Sequence, residues 1–531
     1  MLGLLAQVPT STPELSPIPR SAIPKARIIE TPHVPWSYLT PMLILMVGAL
    51  VLLIVVALVR GKLPRSSCAI YTALVAGASL VSAWPLWHRV SNAKQGPISA
   101  VKGAIGVDHF TLFVGALICI AVILSALLAD GYLRREGLDG PELYILMLLA
   151  ATGGMILGSA NDLMVMFLGV EILSIATYVM AAMHMRRLSS QEAGLKYFVL
   201  GAFSSAFLLY GIALVYGATG SMSLLKIQTF LSTHVVTHDG LLLAGLALML
   251  AGFGFKIAAA PFHMWAPDVY QGAPSPVSAF MASGVKVAGF AGLLRVFVLT
   301  FGAYAEQWRP IVYAFAVLSL IVGSVTAIVQ TNVKRALAYS SINHAGFILL
   351  GVGAASAEGT AAALFYLLCY TVMAAGSFGI ITVVGRRGDG LHNLDDYKGL
   401  ARSRPGVAMV FTVFLLAQAG TPFTAGFLAK FGVIQAAADR GNWWLALIAM
   451  LTAVISAFIY LRIVVAMYFS GGGEHGDEPV ELAGPAVRVP WAAGLSLAVA
   501  LVATVVLGFV PGPFTSAART AVPQLVADTG R

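Results

Sequence analysis

The segment GFGFKIAAAPFHMWAPDVYQGAPSP, Gly252 to Pro276, decides how this chain is to be read. It ends an uncharged apolar run, Leu241 to Phe255, on Lys256, and it places Pro261 five residues further on. Pro261 cannot donate a hydrogen bond to the carbonyl of Ile257, so the helix is predicted to kink or open just after Lys256. Irregular backbone at membrane depth is tolerated only where it lines a hydrated cavity or is buried in protein. If the run spans a bilayer, the break therefore predicts a polar pocket beside the lysine.

Composition supplies the bilayer. The 531 residues are 59% hydrophobic and 10% charged, with a mean hydropathy of +0.87. A soluble chain of this length divides into domains with charged surfaces. Here apolar runs of about 20 residues follow one another, the length a hydrocarbon core requires. The expected fold class is an all-α polytopic membrane protein of about fourteen transmembrane helices. The first span is read at Pro41 to Val59 and the last at Trp491 to Val510. Between them, span three covers Phe110 to Leu128, span five Leu163 to Met183, span six Tyr197 to Tyr216, span seven Leu241 to Ala260, span eight Val277 to Phe301, span ten Ala336 to Ala354 and span twelve Val407 to Ala437. Seven prolines between Pro9 and Pro35 make residues 1–40 an extended arm, and no cleavable signal is read there.

Basic residues orient the spans. Connections after odd-numbered spans hold fifteen: Arg60, Lys62, Arg65, Arg134, Arg135, Arg186, Arg187, Lys334, Arg335, Arg386, Arg387, Lys398, Arg402, Arg404 and Arg488. Connections after even-numbered spans hold six: Arg89, Lys94, Lys102, Lys226, Arg309 and Arg440. The positive-inside rule puts the first set in the cytoplasm and both termini outside. The formal charge of +9 thus reflects topology, and no basic stripe interleaved with aromatics points to nucleic acid. Cys68, Cys119 and Cys369 lie far apart in apolar runs and read as small filler, with no metal or iron–sulfur spacing. No phosphate-binding glycine motif occurs in a strand-to-helix setting. The chain is expected to hold no cofactor and no metal.

What remains are charges inside spans: Lys196, Lys256, Lys286, Arg295, Lys430 and Arg462, with Glu171 the one carboxylate in mid-span. Such a charge costs at least about 2.5 to 3.5 kcal/mol at the bilayer centre, and it usually faces a partner or water and serves function. Lys196, Arg295 and Arg462 can instead snorkel to an interface. A buried structural ion pair is the alternative for Glu171, Lys256, Lys286 and Lys430. In span twelve, Gly420 to Pro422 breaks the run ahead of Lys430 much as Pro261 follows Lys256. Interrupted helices bearing an ionisable group in two separated halves are expected of an ion carrier built from repeats. Lysine suits proton carriage, since desolvation disfavours its charge and a nearby carboxylate restores it. His263 and His344 titrate nearer neutrality and can relay between lysines or serve as core histidines.

Three stretches carry a resemblance: NDLMVMFLGVEILSIATYVM around Glu171, GFKIAAAPFHMWAPDVYQGAPSPVSAFMASGVKVAGF with Lys256 and Lys286, and VKRALAYSSINHAGF with His344. They resemble the antiporter-like membrane subunits of proton-pumping NADH:quinone oxidoreductase, respiratory complex I of bacterial type. FLGVEILS and LDDYKGLARSRP resemble the N type more than the L or M type. The resemblance implies two inverted five-helix repeats, each with a broken helix: residues 141–301 (spans four to eight) and 302–470 (spans nine to thirteen). Three helices precede them in residues 41–140, and residues 471–531 add a flexible loop, the last span and a tail. It also implies that Glu171 pairs with Lys256, that Lys286 lies at the centre, that Lys430 faces an outer half-channel and that Lys196 modulates the pair. NADH, FMN, iron–sulfur clusters and quinone are then expected in partner subunits. The implied partners are the other membrane and peripheral subunits, neighbouring antiporter-like subunits among them, and the lipid bilayer, with the chain in the bacterial inner membrane.

The function read from this is proton translocation coupled to quinone reduction in partner subunits, as a non-redox subunit of the oxidoreductase. Two readings stand beside it: a subunit of a multi-subunit cation/proton antiporter, and a non-pumping membrane scaffold. Co-purification with iron–sulfur and flavin subunits separates the first alternative, and loss of pumping by an assembled Lys286→Ala complex excludes the second.

Overall fold

A computed structural model describes residues 34–59, 66–92, 96–138, 140–234, 236, 238–390, 392–469 and 489–526. The arm before residue 34, the loop at 470–488, and Arg60, Lys62, Arg65, Lys94 and Arg488 lie outside the described residues. Among the described residues, twelve helices are long and apolar enough to cross a membrane alone. Two further crossings are each made of two half-helices, Gly240–Lys256 with Trp265–Gly272 and Pro405–Ala419 with Ala425–Asp439. These are spans seven and twelve, and they bring the crossings to the expected fourteen. Both fall where the proline and glycine signals placed the breaks.

The helices outrun the apolar stretches at several ends. Span three runs His109–Glu136, span six Leu188–Thr219 and span ten Val333–Gly353. Arg134, Arg135, Lys334 and Arg335, read as loop charges, therefore sit on helices, and Lys334 is fully buried. The all-α expectation needs one amendment, a small antiparallel hairpin of Ile98–Ala100 with Ile105–Val107 between spans two and three. Its turn uses Val101 and Lys102 at positive φ and Gly103.

Internal repetition is visible in the backbone. Leu163 N–H bonds to Met222 O, and Leu224 N–H to Asn161 O. The same pair of bonds recurs 170 residues later, from Val333 to His392 and from Leu394 to Thr331. A Cβ on Gly153 would meet Leu173 N at 2.5 Å, and one on Gly323 would meet Asn343 N at 2.5 Å, again 170 residues apart. Bare glycine backbone thus lets the first two spans of each half pack closely, as small residues do in membranes. Five crossings separate equivalent elements. Since five is odd, the second half runs through the membrane in the opposite sense, and the two repeats are inverted.

Spans three, eight, ten and eleven form the buried centre, while spans one, two, six, thirteen and fourteen expose much of their apolar surface. A segment with helix Gly512–Thr520 follows span fourteen. Gln524 N–H then bonds to Asp108 and Val526 O accepts from Asn161, which ties this segment to the first half.

Candidate functional site

The break in span seven is built from satisfied backbone groups. The helix ends at Lys256, Ala258 takes φ +57°, and the Trp265 indole donates to Phe255 O at 2.9 Å. Ala260 N–H reaches the Ser319 hydroxyl on span nine at 2.9 Å. In span twelve, Gly420 takes φ +86°, its N–H bonds to Leu416 O and Ala417 O, and Lys430 reaches back to Ala419 O at 2.8 Å. The second half starts on Thr424, whose hydroxyl accepts from Phe427 N–H. Backbone freed by each break is thus re-bonded inside the protein, as lipid demands.

Lys256, Lys286 and Lys430 are 5%, 2% and 5% exposed, and His344 is fully buried. Lys256 Nζ donates to Ser174 Oγ at 2.8 Å and faces the Tyr197 ring at 6.0 Å. Glu171, one turn before Ser174, is close enough to act on that ammonium electrostatically, but the two form no direct ion pair. Glu171 Oε1 is buried without a hydrogen-bond partner. The stem of Lys256 lies against the bare backbone of Gly289, where a Cβ would stand 3.3 Å from Lys256 Cγ. Gly289 is three residues along span eight from Lys286. Lys286 follows a wide π turn, Met281–Val285, and its Nζ donates to Ser341 O and Oγ, both at 2.5 Å.

Ser341 and His344 are one turn apart on span ten. The Tyr370 ring lies between Lys286 and His344, 5.3 Å from Lys286 Nζ and 4.7 Å from the His344 ring. His344 Nδ1 meets Tyr366 OH at 2.7 Å and Nε2 meets Tyr460 OH at 3.0 Å. Tyr366 stacks on Phe347, and Lys430 Nζ sits 5.0 Å over that same Phe347 ring. A line of polar groups therefore runs from the half-buried Glu171 through the buried Lys256, Lys286 and His344 to Lys430, crossing both repeats. A cleft of about 540 Å³ opens beside the second half of span twelve, lined in part by Leu428, Gly432, Gln435 and Asp439, with Glu358 and Arg519 opposite.

Two predicted residues stand apart from this line. Lys196 is half-exposed and pairs with Glu192 at 2.7 Å and Asp268 at 2.8 Å, in a cleft of about 210 Å³ that also holds Arg335 and Gln271. His263 lies half-buried in the break of span seven, its Nδ1 without a partner. Arg295 does not snorkel. It is 1% exposed, its Nη2 pairs with Asp108 at 2.8 Å, and its Nε bonds to Gly158 O. Arg462 bonds to the carbonyls of Ile328 and Gln330.

Sequence reasoning missed Ser174 and Ser341, because serine hydroxyls in apolar helices usually bond to their own backbone, and Tyr366, Tyr370 and Tyr460, because a tyrosine in an apolar run reads as core. It also missed a buried polyelectrolyte knot. Asp389, in the connection between spans eleven and twelve, accepts from Lys334 at 3.0 Å, Arg187 at 3.1 Å, His392 at 3.0 Å and Ser275 at 2.8 Å. Burial opposes the Asp389 charge, yet Lys334, His392 and Arg187 hold its carboxyl well below the usual carboxylate range.

Among known proteins, the family model described as NADH:quinone oxidoreductase/Mrp antiporter, TM matches residues 160–456. NADH-quinone oxidoreductase subunit N of Trichlorobacter lovleyi is 42% identical over 425 residues, 80% of this chain and 86% of that one. The subunit N of Mycobacterium tuberculosis is 38% identical and covers 94% of this chain and 100% of its own length. Among solved structures, a chain of respiratory complex I from Thermus thermophilus with bound aureothin superposes with TM-score 0.73 and 32% identity, over 90% of this chain and 99% of that one. A chain of the Mrp complex from Dietzia superposes at TM-score 0.79 with 22% identity, over 93% and 98%, a likeness of fold alone.

Proposed function

The chain belongs to the NADH:quinone oxidoreductase/Mrp antiporter membrane family, among the N subunits of NADH-quinone oxidoreductase, and we propose that it carries protons along the Glu171–Lys256–Lys286–His344–Lys430 line. One observation carries this reading. The protein contains buried cations of two kinds. Arg295 and Lys334 each hold a carboxylate, Asp108 and Asp389 respectively. Lys256, Lys286 and Lys430 instead rest on neutral oxygens, those of Ser174, Ser341 and Ala419, and among the described residues none forms an ion pair. A structural lysine buried this deeply keeps its counter-ion, because an uncompensated buried charge is costly. A lysine held by neutral hydroxyl and carbonyl oxygens can lose and regain its proton without breaking a salt bridge. His344, between two tyrosine hydroxyls, is placed to pass a proton between Lys286 and Lys430.

In this reading Lys430 releases protons through the cleft beside Gly432 and Asp439, which lies on the outer side if the basic bias sets orientation, and both termini are outside. Electrons pass from NADH to quinone in partner subunits, which hold the flavin and iron–sulfur groups, while this chain holds no redox group and works in the bacterial inner membrane. The decisive test is the proton-to-electron ratio of the assembled complex in sealed vesicles carrying Lys286→Ala. A reduced ratio with normal complex on a native gel supports the role. An unchanged ratio makes this chain a scaffold.

A further inference from the structure

We propose that Ser174 is a second station for Lys256, so that the ammonium alternates between the Glu171 carboxylate and the Ser174 hydroxyl, and that the structure holds the Ser174 state. The inference rests on the proton-carrying reading above. Lys256 Nζ donates to Ser174 Oγ at 2.8 Å. Ser174 directs its own proton to Val170 O at 2.5 Å, so its lone pairs face the lysine. Glu171 Oε1, meanwhile, is buried and unpartnered, a state that costs free energy and is retained in native proteins for a reason. Glu171 and Ser174 are three residues apart on one helix and share a face about 5 to 6 Å apart. The lysine stem can cover that span by rotation, and it packs on the bare backbone of Gly289, where a Cβ would stand 3.3 Å from Lys256 Cγ and crowd it.

The second repeat supports the same design. Counting 170 residues on, the offset set by the shared backbone bonds, Glu171 corresponds to Ser341 and Ser174 to His344. Lys286 rests on Ser341, with His344 one turn away. Each half therefore carries two polar positions, one turn apart, on the second helix of its repeat, and each pair meets a lysine. The first lysine occupies the later position and the second lysine the earlier one. A neutral acceptor at Ser174 lets Lys256 leave Glu171 while keeping its proton, so its charge is no longer offset where it approaches span eight.

Replacing the hydroxyl with a methyl group removes the second station but leaves Glu171, so the pair should stay closed. The worth of one hydrogen bond to a charged group predicts a fall of about ten- to a hundredfold in occupancy of the open state. Ser174→Val and Ser174→Thr have nearly the same shape and differ in the hydroxyl. At equal complex content on a native gel, Ser174→Val should lose proton-coupled quinone reduction in sealed vesicles and Ser174→Thr should retain it. Glu171→Gln should make Ser174→Val silent, because no closed pair remains to be trapped. Equal activity of the Val and Thr variants, with Glu171→Gln impaired, overturns the station and leaves the proton-carrying reading intact. Wild-type proton-to-electron ratios in Glu171→Gln and Lys256→Met overturn that reading itself.

Discussion

Asp389 is where removing a single charge should cost most in stability. It joins Ser275 at the start of span eight, Lys334 at the start of span ten, Arg187 after span five and His392 of its own connection. Asp389→Ala leaves Lys334, wholly buried, facing Arg187, whose side chain is 19% exposed. At 3.0 Å and an effective dielectric of about 20, the attraction between Asp389 and Lys334 is worth roughly 5 to 6 kcal/mol. Much of that already offsets desolvation, so the expected loss is about 3 to 5 kcal/mol, the usual cost of breaking a buried pair from one side. Lys334→Met should cost less, since Asp389 keeps Arg187 and His392. The double variant Asp389→Asn with Lys334→Met should cost much less than the sum, because both charges leave together. The assays are complex content on native gels and thermal unfolding of the purified complex. The Asp389 contribution should be flat from about pH 5 to 8: a carboxyl depressed on folding stabilises above its ordinary value of about 3.9 and loses this only as pH falls through its lower folded value. Burial lowers His392 below its ordinary value, so its neutral form is favoured and its contribution should decline as pH falls below about 6.5. Wild-type melting of Asp389→Ala, or simple additivity in the double variant, refutes the reasoning.

Lys430→Ala should reduce the proton-to-electron ratio while the complex still assembles, since what it orphans is the Ala419 carbonyl, at a cost of about 1 to 3 kcal/mol; an unchanged ratio removes Lys430 from the path. Gly426→Ala should abolish assembly, because its Cβ would collide with the Ala417 carbonyl of the facing half-helix, whereas Gly432→Ala meets only Ala362 Cβ at 3.6 Å and should be tolerated. Ser403, exposed in the connection ahead of span twelve, should as Ser403→Cys resist an impermeant thiol reagent applied outside intact cells; efficient labelling there reverses the assigned orientation.

The legible parts of this fold were those governed by local chemistry. Pro261 and the Gly420–Pro422 cluster fixed both breaks, because the loss of a helical hydrogen bond needs no tertiary information. Fourteen crossings followed from apolar run length. Helix ends were less legible, since the charged last turn of span three is held from far along the chain: Arg135 donates to Thr382 O at 2.6 Å, and Glu136 accepts from Gly388 N–H at 2.7 Å. Lys334 looked like a loop charge for the same reason, its counter-ion lying 55 residues away. The hairpin was hidden by its three-residue strands. His263 and His344 were indistinguishable in sequence, and what separates them is the company of Tyr366 and Tyr460 on spans eleven and thirteen. The inverted repeat left few identities in sequence, yet the backbone bonds at its 170-residue offset coincide.

The two broken helices also bear on how Lys256 and Lys430 survive here without a direct ion pair. The C-terminal end of a helix carries about half a negative charge on its unsatisfied carbonyls, which favours a nearby cation by about 0.3 to 1 kcal/mol, and by as much as about 2 when partly buried. Lys256 lies in the last turn of the first half of span seven. Lys430 comes from the second half of span twelve but folds back onto Ala419, the last residue of the first half. The two lysines thus reach the same electrostatic feature from opposite sides of the break. Lys286, in the unbroken span eight, takes a backbone carbonyl and a hydroxyl of Ser341 instead. A dipole or a neutral oxygen steadies an ammonium less than a carboxylate does, and it is not left as an unpaired buried charge when the proton departs. A carboxylate partner would fix each lysine in its charged form, as Asp389 does for Lys334. Breaking the helix therefore offers a lysine a place without a fixed counter-ion, and one such break in each inverted repeat puts a buried lysine at either end of the stretch through Lys286 and His344.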